Sequence, residues 1–174
     1  MAVTLVEGAD RELVGEIARR LQAKLGVQVL VAEEMLPLPD DAYDAEREQY
    51  ESSAFLSRLH EVSEDDRVLL LAVTEADLYT GEMNFVLGQA VLGGGVAVCS
   101  LARLRPEFWG REPDGPLLLE RGVKVFMHEI GHALGLRHCP DERCVMHFGA
   151  TVMSVDRTPA RFCDRCARRA GLPR

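Results

Sequence analysis

The sequence has 174 residues, of which 47% are hydrophobic and 28% are charged, a composition typical of a globular domain. No apolar run approaches the roughly 20 residues that a membrane-spanning helix needs, and the first residues lack the basic start of a secretory signal. We therefore expect a cytoplasmic protein that does not cross a membrane. The net charge of −8 argues against general affinity for nucleic acid.

Hydrophobic periodicity divides the first half of the chain into strands and helices. The predicted elements are a strand over residues 3–7, a helix over 10–25, a strand over 27–31 and a helix over 40–62. Asp10 is the expected N-cap of the first helix, and Gly26 is expected to end it. Acidic residues at the start of the second helix favour it, because the helix dipole attracts negative charge there.

The second half continues this pattern. The predicted elements are a buried strand over residues 67–74, a short segment over 85–91, a strand over 96–104 and a long helix over 117–136. The triple glycine at residues 93–95 lacks the Lys and Ser/Thr of a phosphate-binding loop, so we interpret it as a turn. The order of elements predicts one α/β (α+β) domain, residues 1–174, in which helices pack on a mixed sheet.

The long helix enters the segment His128-Glu129-Ile130-Gly131-His132. Two histidines four residues apart lie on one face of a helix, where both neutral imidazoles can bind one zinc ion. Glu129 lies one residue further round the helix, where it can accept a proton from water. The pattern predicts a metal site with Glu129 as general base.

Gly135 and His138 extend this motif. Glycine accepts a left-handed conformation, so Gly135 can end the helix with a sharp turn that brings His138 back as a third ligand. Three protein ligands leave a fourth position for water, which is the arrangement of catalytic zinc sites. A helix with two incidental histidines would not explain the added Gly and His at fixed offsets.

Four of the five cysteines follow this motif as two pairs, Cys139 with Cys144 and Cys163 with Cys166. Two close pairs separated by 18 residues favour a tetrahedral four-thiolate zinc site, closed by protein ligands and therefore structural. The alternatives are a redox pair at the second pair or simple burial of the thiols. The fifth cysteine, Cys99, lies in an apolar run and is expected to be buried.

These residues resemble the archaemetzincins, a family of compact metalloproteases of the metzincin clan. The similarity rests on the run His-Glu-x-x-His-x-x-Gly-x-x-His-Cys-x4-Cys-x-Met followed by Cys-x-x-Cys, which spans residues 128–166. Weaker similarities occur upstream at residues 47–50, 73–79 and 100–104. The segment between the methionine and Cys-x-x-Cys is one residue shorter than the family pattern.

The resemblance implies a metzincin-like fold, a peptide or protein substrate and a methionine beneath the catalytic metal, which is Met146. Met153 is an alternative for this position only because it is also a methionine. His147 adjoins Met146 and is a less favoured candidate ligand, since three histidines already suffice.

We therefore predict zinc-dependent peptide hydrolysis with two zinc ions per chain, one catalytic and one structural. One alternative is a zinc-stabilised peptide-binding module with little or no turnover. The presence of Glu129 disfavours this alternative, because a purely structural zinc site has no use for that carboxylate. Another is a nucleic-acid contact made by the cysteine cluster and the arginine-rich end of the chain, which we disfavour. The sequence does not indicate the oligomeric state.

Overall fold

The computed structural model describes residues 1–63, 68–149 and 151–172. Five α-helices are present in this part of the chain: α1 (Arg11–Leu25), α2 (Ser52–Val62), α3 (Gly115–Ala133), α4 (Val152–Arg157) and α5 (Asp164–Arg169). The strands are β1 (Ala2–Val6), β2 (Leu30–Leu36), β3 (Tyr43–Asp44), β4 (Gln49–Glu51), β5 (Leu70–Thr74), β6 (Leu78–Thr80), β7 (Met83–Val86), β8 (Gly88–Ala90) and β9 (Val96–Ser100).

Two sheets organise these strands. The main sheet has the order β2-β1-β5-β9-β8, in which the first four strands are parallel and β8 runs antiparallel to β9. The smaller sheet has the order β3-β4-β6-β7 and pairs β4 with β6 in parallel. The predicted mixed sheet packed by helices is therefore confirmed.

Alternating residues of the three central strands face two separate cores, because successive side chains of a strand point to opposite faces. On β5, Leu71 and Val73 join the larger core while Ala72 joins the smaller one. The larger core contains the buried sides of α1 and α3, and the smaller core contains the apolar side of α2. The main sheet is thus the middle of three layers, and α3 lies on one of its faces.

The first helix follows its sequence signals closely. Asp10 accepts hydrogen bonds from the backbone N–H groups of Glu12 and Leu13, and Gly26 adopts a left-handed φ of 65° after the last turn. Both predictions are confirmed. The apolar run near residue 99 also behaves as expected, since Cys99 is fully buried in the larger core.

The prediction of one helix over residues 40–62 is wrong in its first half. Asp44 accepts hydrogen bonds from the N–H groups of Glu46 and Arg47, and Glu48 has a left-handed φ of 55°, so the chain turns back on itself. The resulting hairpin pairs β3 with β4, and helix begins only at Ser52. Acidic residues in a tight turn produce the same local pattern as the first turn of a helix.

Other boundaries shift by a few residues. The strand predicted over 27–31 is β2, which begins at Leu30, and the strand predicted over 96–104 ends at Ser100. The strand predicted over 67–74 starts on Arg67, which lies outside the described residues, and β5 begins at Leu70. Among the described helices, none is long and apolar enough to cross a membrane.

Candidate metal centre and substrate cleft

Helix α3 ends at Ala133, three residues before the predicted boundary at residue 136, and Gly135 closes it as expected. Gly135 has a φ of 87°, its N–H donates to the carbonyl of His132, and the N–H of Leu136 donates to the carbonyl of Gly131. These two bonds form the Schellman arrangement that closes a helix with a left-handed residue. A Cβ added to Gly135 would lie 3.8 Å from the Cα of Gly93, and the N–H of Gly93 also donates to the carbonyl of His132. The glycine turn thus packs against the helix end.

The three predicted histidines meet just beyond this turn. The Nε2 of His132 lies 3.1 Å from the Nε2 of His128 and 3.2 Å from the Nε2 of His138. Zinc–nitrogen bonds of about 2.0–2.1 Å in a tetrahedron would place ligand nitrogens about 3.3–3.4 Å apart. The spacing of the three nitrogens therefore fits one zinc ion.

Backbone carbonyls fix the orientation of two of these rings. The Nδ1–H of His128 donates to the carbonyl of Val145 at 2.7 Å, and that of His132 donates to the carbonyl of Leu136 at 2.8 Å. Because a carbonyl only accepts, each ring carries its proton on Nδ1 and turns the lone pair of Nε2 towards the other histidines. Burial lowers the pKa of His128 to about 4, so its ring is neutral at pH 7.

Glu129 lies beside the histidines and lines the same cleft. Its side chain is buried, and this burial raises its pKa to about 8. A cation nearby would favour the carboxylate and lower that value. Gly88 on β8 makes room for this side chain, because a Cβ at that position would lie 2.6 Å from the Cγ of Glu129. Sequence analysis did not single out Gly88.

The four predicted cysteines form a second cluster. Their sulfur atoms lie within 4.8 Å of one another, and the Sγ atoms of Cys139 and Cys163 are 3.9 Å apart. Tetrahedral zinc–sulfur bonds of about 2.3 Å would place sulfur atoms about 3.8 Å apart. The cluster therefore fits a four-thiolate zinc site, with all four residues buried or half-buried.

Neighbouring donors favour the thiolate form of Cys139. Burial raises the pKa of its thiol, but hydrogen bonds from the Asp141 backbone and the Arg165 guanidinium, together with the neighbouring thiols, bring that pKa down to about 7. The Nη2 of Arg165 lies 3.2 Å from the sulfur. Arg165, which belongs to the arginine-rich end of the chain, therefore offsets the negative charge of the Cys139 thiolate.

Met146 is the methionine that packs against the histidine-bearing end of α3. It is fully buried, and a Cβ on Gly131 would overlap its Sδ, so it packs against the turn of α3 that joins His128 to His132. Met153 is 64% exposed on α4 and does not take this place. His147 stands apart from the three converging histidines, and its Nδ1 lies 3.2 Å from the carbonyl of Cys139.

The histidines border a cleft of about 590 Å³ between α3 and the edge of the main sheet. Strand β8 forms that edge. The N–H of Ser100 donates to the carbonyl of Leu87, and the N–H of Val91 donates to the carbonyl of Val96. Every second residue from Leu87 to Val91 therefore forms its backbone hydrogen bonds with β9. Gly88 and Ala90 therefore turn their N–H and C=O groups away from β9, at an edge that lines the cleft.

The three upstream segments that carry the weaker family resemblance meet in one network beside this cleft. Asp77 accepts two hydrogen bonds from Arg103, at 2.7 and 2.8 Å, and a third from Gln49 at 2.9 Å. The Arg103 guanidinium also stacks over the ring of Phe85, which lines the cleft. This network supports the cleft wall made by β7.

Comparison with known proteins agrees with the motifs. The model of peptidase family M54 matches residues 3–171. An archaemetzincin from Pyrococcus furiosus is 46% identical over 129 residues, which cover 74% of this chain and 67% of that protein. The crystal structure of an archaemetzincin from Archaeoglobus fulgidus matches with a TM-score of 0.83 and 36% identity, covering 97% of this chain and 98% of that one.

A zinc-dependent peptidase from Methanocorpusculum labreanum matches over the same shares of both chains, with a TM-score of 0.87 and 28% identity. These similarities extend over nearly the whole sequence rather than the metal motif alone. The resemblance to the archaemetzincins is confirmed, and the chain belongs to peptidase family M54 and is a zinc metallopeptidase.

Proposed function

We propose that this peptidase holds its catalytic zinc ion with His128, His132 and His138 and uses Glu129 as general base. The observation that carries the proposal is the convergence of three Nε2 atoms, two of them with Nδ1 bound to a carbonyl, at the wall of a cleft that also contains Glu129. The donor set is the one that catalytic zinc sites use.

The bound zinc ion would supply Lewis acidity, which polarises the scissile carbonyl and makes water acidic enough to lose a proton near pH 7. Glu129 accepts that proton and afterwards delivers it to the leaving amine. The packing of Glu129 against Gly88 holds its carboxylate at one position along the cleft. Glu129 thus acts first as base and then as acid.

An extended peptide substrate suits the wall formed by β8. Gly88 and Ala90 offer free backbone donors and acceptors, and an extended peptide can add to such an edge as a further strand. The cleft is also lined by apolar side chains of β7 and of the segment after Met146. Main-chain bonds would position the scissile peptide, and these side chains would contact its residues.

We further propose a second zinc ion, held by Cys139, Cys144, Cys163 and Cys166. Four protein ligands close the coordination sphere, so this ion would be structural. Met146 would serve as the apolar floor beneath the histidine site. Thiolates bind metal only when they are not oxidised, so the proposal places the enzyme in a reducing compartment such as the cytosol.

The experiment that tests the catalytic assignment is a peptide-library digest with wild type and Glu129→Gln side by side. Glutamine keeps the side-chain volume but accepts no proton, and general acid–base assistance contributes about 10²–10⁴-fold to rate. We expect zinc content to be retained and hydrolysis to fall by at least about that factor. Glu34→Gln, an exposed position on β2 at the opposite edge of the main sheet, is the matched control.

The alternative of a binding module predicts a different result. The library would remain uncut by wild type, and Glu129→Gln would bind peptides as wild type does. Hydrolysis by Glu129→Gln at the wild-type rate would refute the role of Glu129 as general base.

A further inference from the structure

Lys124 is a cationic side chain built into the wall of the cleft. It is one of only two lysines in the sequence, and its side chain is 6% exposed. It lies on α3 four residues before His128 and lines the same cleft. Lysine is rarely buried unless it is paired, so its partners indicate what this position can bind.

The partners of Lys124 leave it able to receive another carboxylate. Its Nζ lies 2.7 Å from Glu120 and donates to the backbone carbonyl of Asp156 at 3.1 Å. An ammonium group has three N–H donors, so these two contacts leave one. The side chain of Glu120 is 58% exposed, so water screens this ion pair and another carboxylate can compete with Glu120 for the ammonium group. A carboxylate inside the cleft can therefore take its place.

The charges around the cleft also favour an acidic ligand. Among the described residues that line it, Glu129 is the one acid, whereas Lys124 and Arg137 are basic. The chain as a whole carries a net charge of −8. Basic side chains in a cleft of an otherwise acidic protein concentrate anionic ligands there, because the apolar walls focus the field.

The position of Lys124 places a bound carboxylate close to the reacting bond. Four residues of helix correspond to about 6 Å along α3, and an extended peptide advances about 3.3 Å per residue. Val155 of α4 and Thr158, the residue that follows this helix, also line the cleft. Two hydrogen bonds from Arg121 to Asp156, at 2.7 and 2.8 Å, fix that segment against α3.

We propose that Lys124 is a specificity-determining residue that binds a substrate carboxylate, so that the enzyme selects peptides with Glu or Asp within about two residues of the scissile bond. This inference rests on the proposed function, since the peptide must occupy the same cleft. A carboxylate can come from an acidic side chain or from the C-terminus of a peptide. We assign the side chain, because the cleft continues along β8 and admits an extended chain.

The test measures binding, so that it does not depend on turnover. Zinc-loaded, full-length Glu129→Gln protein is titrated with amidated peptide pairs that differ only by Glu or Gln at one position. We expect a Kd at least about ten-fold lower for the Glu peptide at one position, which corresponds to about 1.4 kcal/mol. A peptide without acidic side chains but with a free C-terminus tests whether Lys124 binds the terminal carboxylate instead.

Three variants test whether the preference depends on Lys124. Adding Lys124→Met should make the two peptides bind equally, whereas Lys24→Met, which changes the exposed lysine of α1, should keep the preference. Glu120→Gln removes the competing carboxylate and should increase the preference for Glu. If Lys124→Met does not fold, the Glu120→Gln variant is the test. An unchanged preference of Glu120→Gln for the Glu peptide would then overturn the proposal.

Other outcomes are equally decisive. Equal binding of all Glu and Gln pairs, or an undiminished preference in folded Lys124→Met, overturns the role of Lys124. Tightest binding of the free C-terminus overturns the assignment to a side chain. Hydrolysis without selectivity contradicts this inference alone, whereas selective binding by a wild type that cleaves no peptide contradicts the proposed function alone.

Discussion

Replacing Gly88 by alanine should reduce activity strongly, although Gly88 lies outside the histidine motif. The added Cβ would lie 2.6 Å from the Cγ of Glu129 and 2.8 Å from the carbonyl oxygen of Val98. An ordinary contact between carbon atoms is about 3.5–4.0 Å, so the shortfall is about 1 Å. The backbone of the buried strand β9 cannot yield, so Glu129 or β8 must move.

The structure sets the size of the effect. Overpacking of this kind costs about 1–3 kcal/mol, which lowers the melting temperature of a domain of this size by roughly 2–12 °C. Misplacing a reacting group by about 1 Å can cost about 10² in rate. We therefore expect Gly88→Ala to stay folded at 25 °C, to keep its zinc, and to lose about two orders of magnitude in kcat/KM.

A matched substitution separates geometry from the change of residue type. Gly15 lies in α1, and a Cβ there would meet no atom within 4 Å. Gly15→Ala should raise the free energy of unfolding by up to about 1 kcal/mol and leave kcat/KM unchanged. Thermal melts, zinc analysis and peptide hydrolysis are measured on both variants. Wild-type activity in Gly88→Ala would refute the reasoning that Glu129 needs this space.

Two further predictions concern stability. The Arg121 guanidinium lowers the pKa of Asp156 in the folded protein below its ordinary value of 3.8. The ion pair therefore stabilises the fold above pH 3.8, and this stabilisation is lost as the pH falls through the pKa that Asp156 has in the folded protein. Asp156→Asn should cost about 1–3 kcal/mol at pH 7 in urea unfolding, and a cost that did not shrink towards about pH 3 would contradict this. Cys163→Ala should release the zinc ion of the thiols and lower the melting temperature strongly, because metal binding at thiolates is coupled to folding. His138→Ala should mainly weaken zinc binding at the histidine site. If both variants lost equal stability and both kept the metal at the histidines, the assignment of a structural role to the thiol site and a catalytic role to the histidine site would be wrong.

Local signals predicted much of the fold because some residues determine their own backbone. Asp10 and Gly26 bound α1, and Gly135 ends α3, since capping and left-handed φ values depend on the residue itself. The spacing of histidines and cysteines predicted which side chains would meet, because helix geometry and short loops limit where they can lie. Their roles as metal ligands stay predictions until zinc is measured.

Other features depend on contacts between distant parts of the chain, which no local pattern reveals. The hairpin of β3 and β4 exists because β4 pairs with β6, almost 30 residues later, and overrides a charge pattern typical of a helix start. Gly88 is required by Glu129, about 40 residues away. Periodicity places Lys124 on one face of α3, but the sequence did not predict α4, whose Asp156 carbonyl accepts a hydrogen bond from Lys124 at the cleft.

The same contacts explain why the thiols and the histidines occur in one short segment. Cys139 directly follows His138, and the carbonyl that orients His128 belongs to Val145, the residue after Cys144. The N–H of Cys139 donates to the carbonyl of Met146, which closes this segment into a loop beneath α3. A metal ion that fixed the thiols would therefore also fix one imidazole through the chain and another through a hydrogen bond. Since a small displacement of a ligand or of a reacting group is costly, loss of zinc from the thiols should weaken zinc binding at the histidines as well, although the proposed mechanism uses no cysteine.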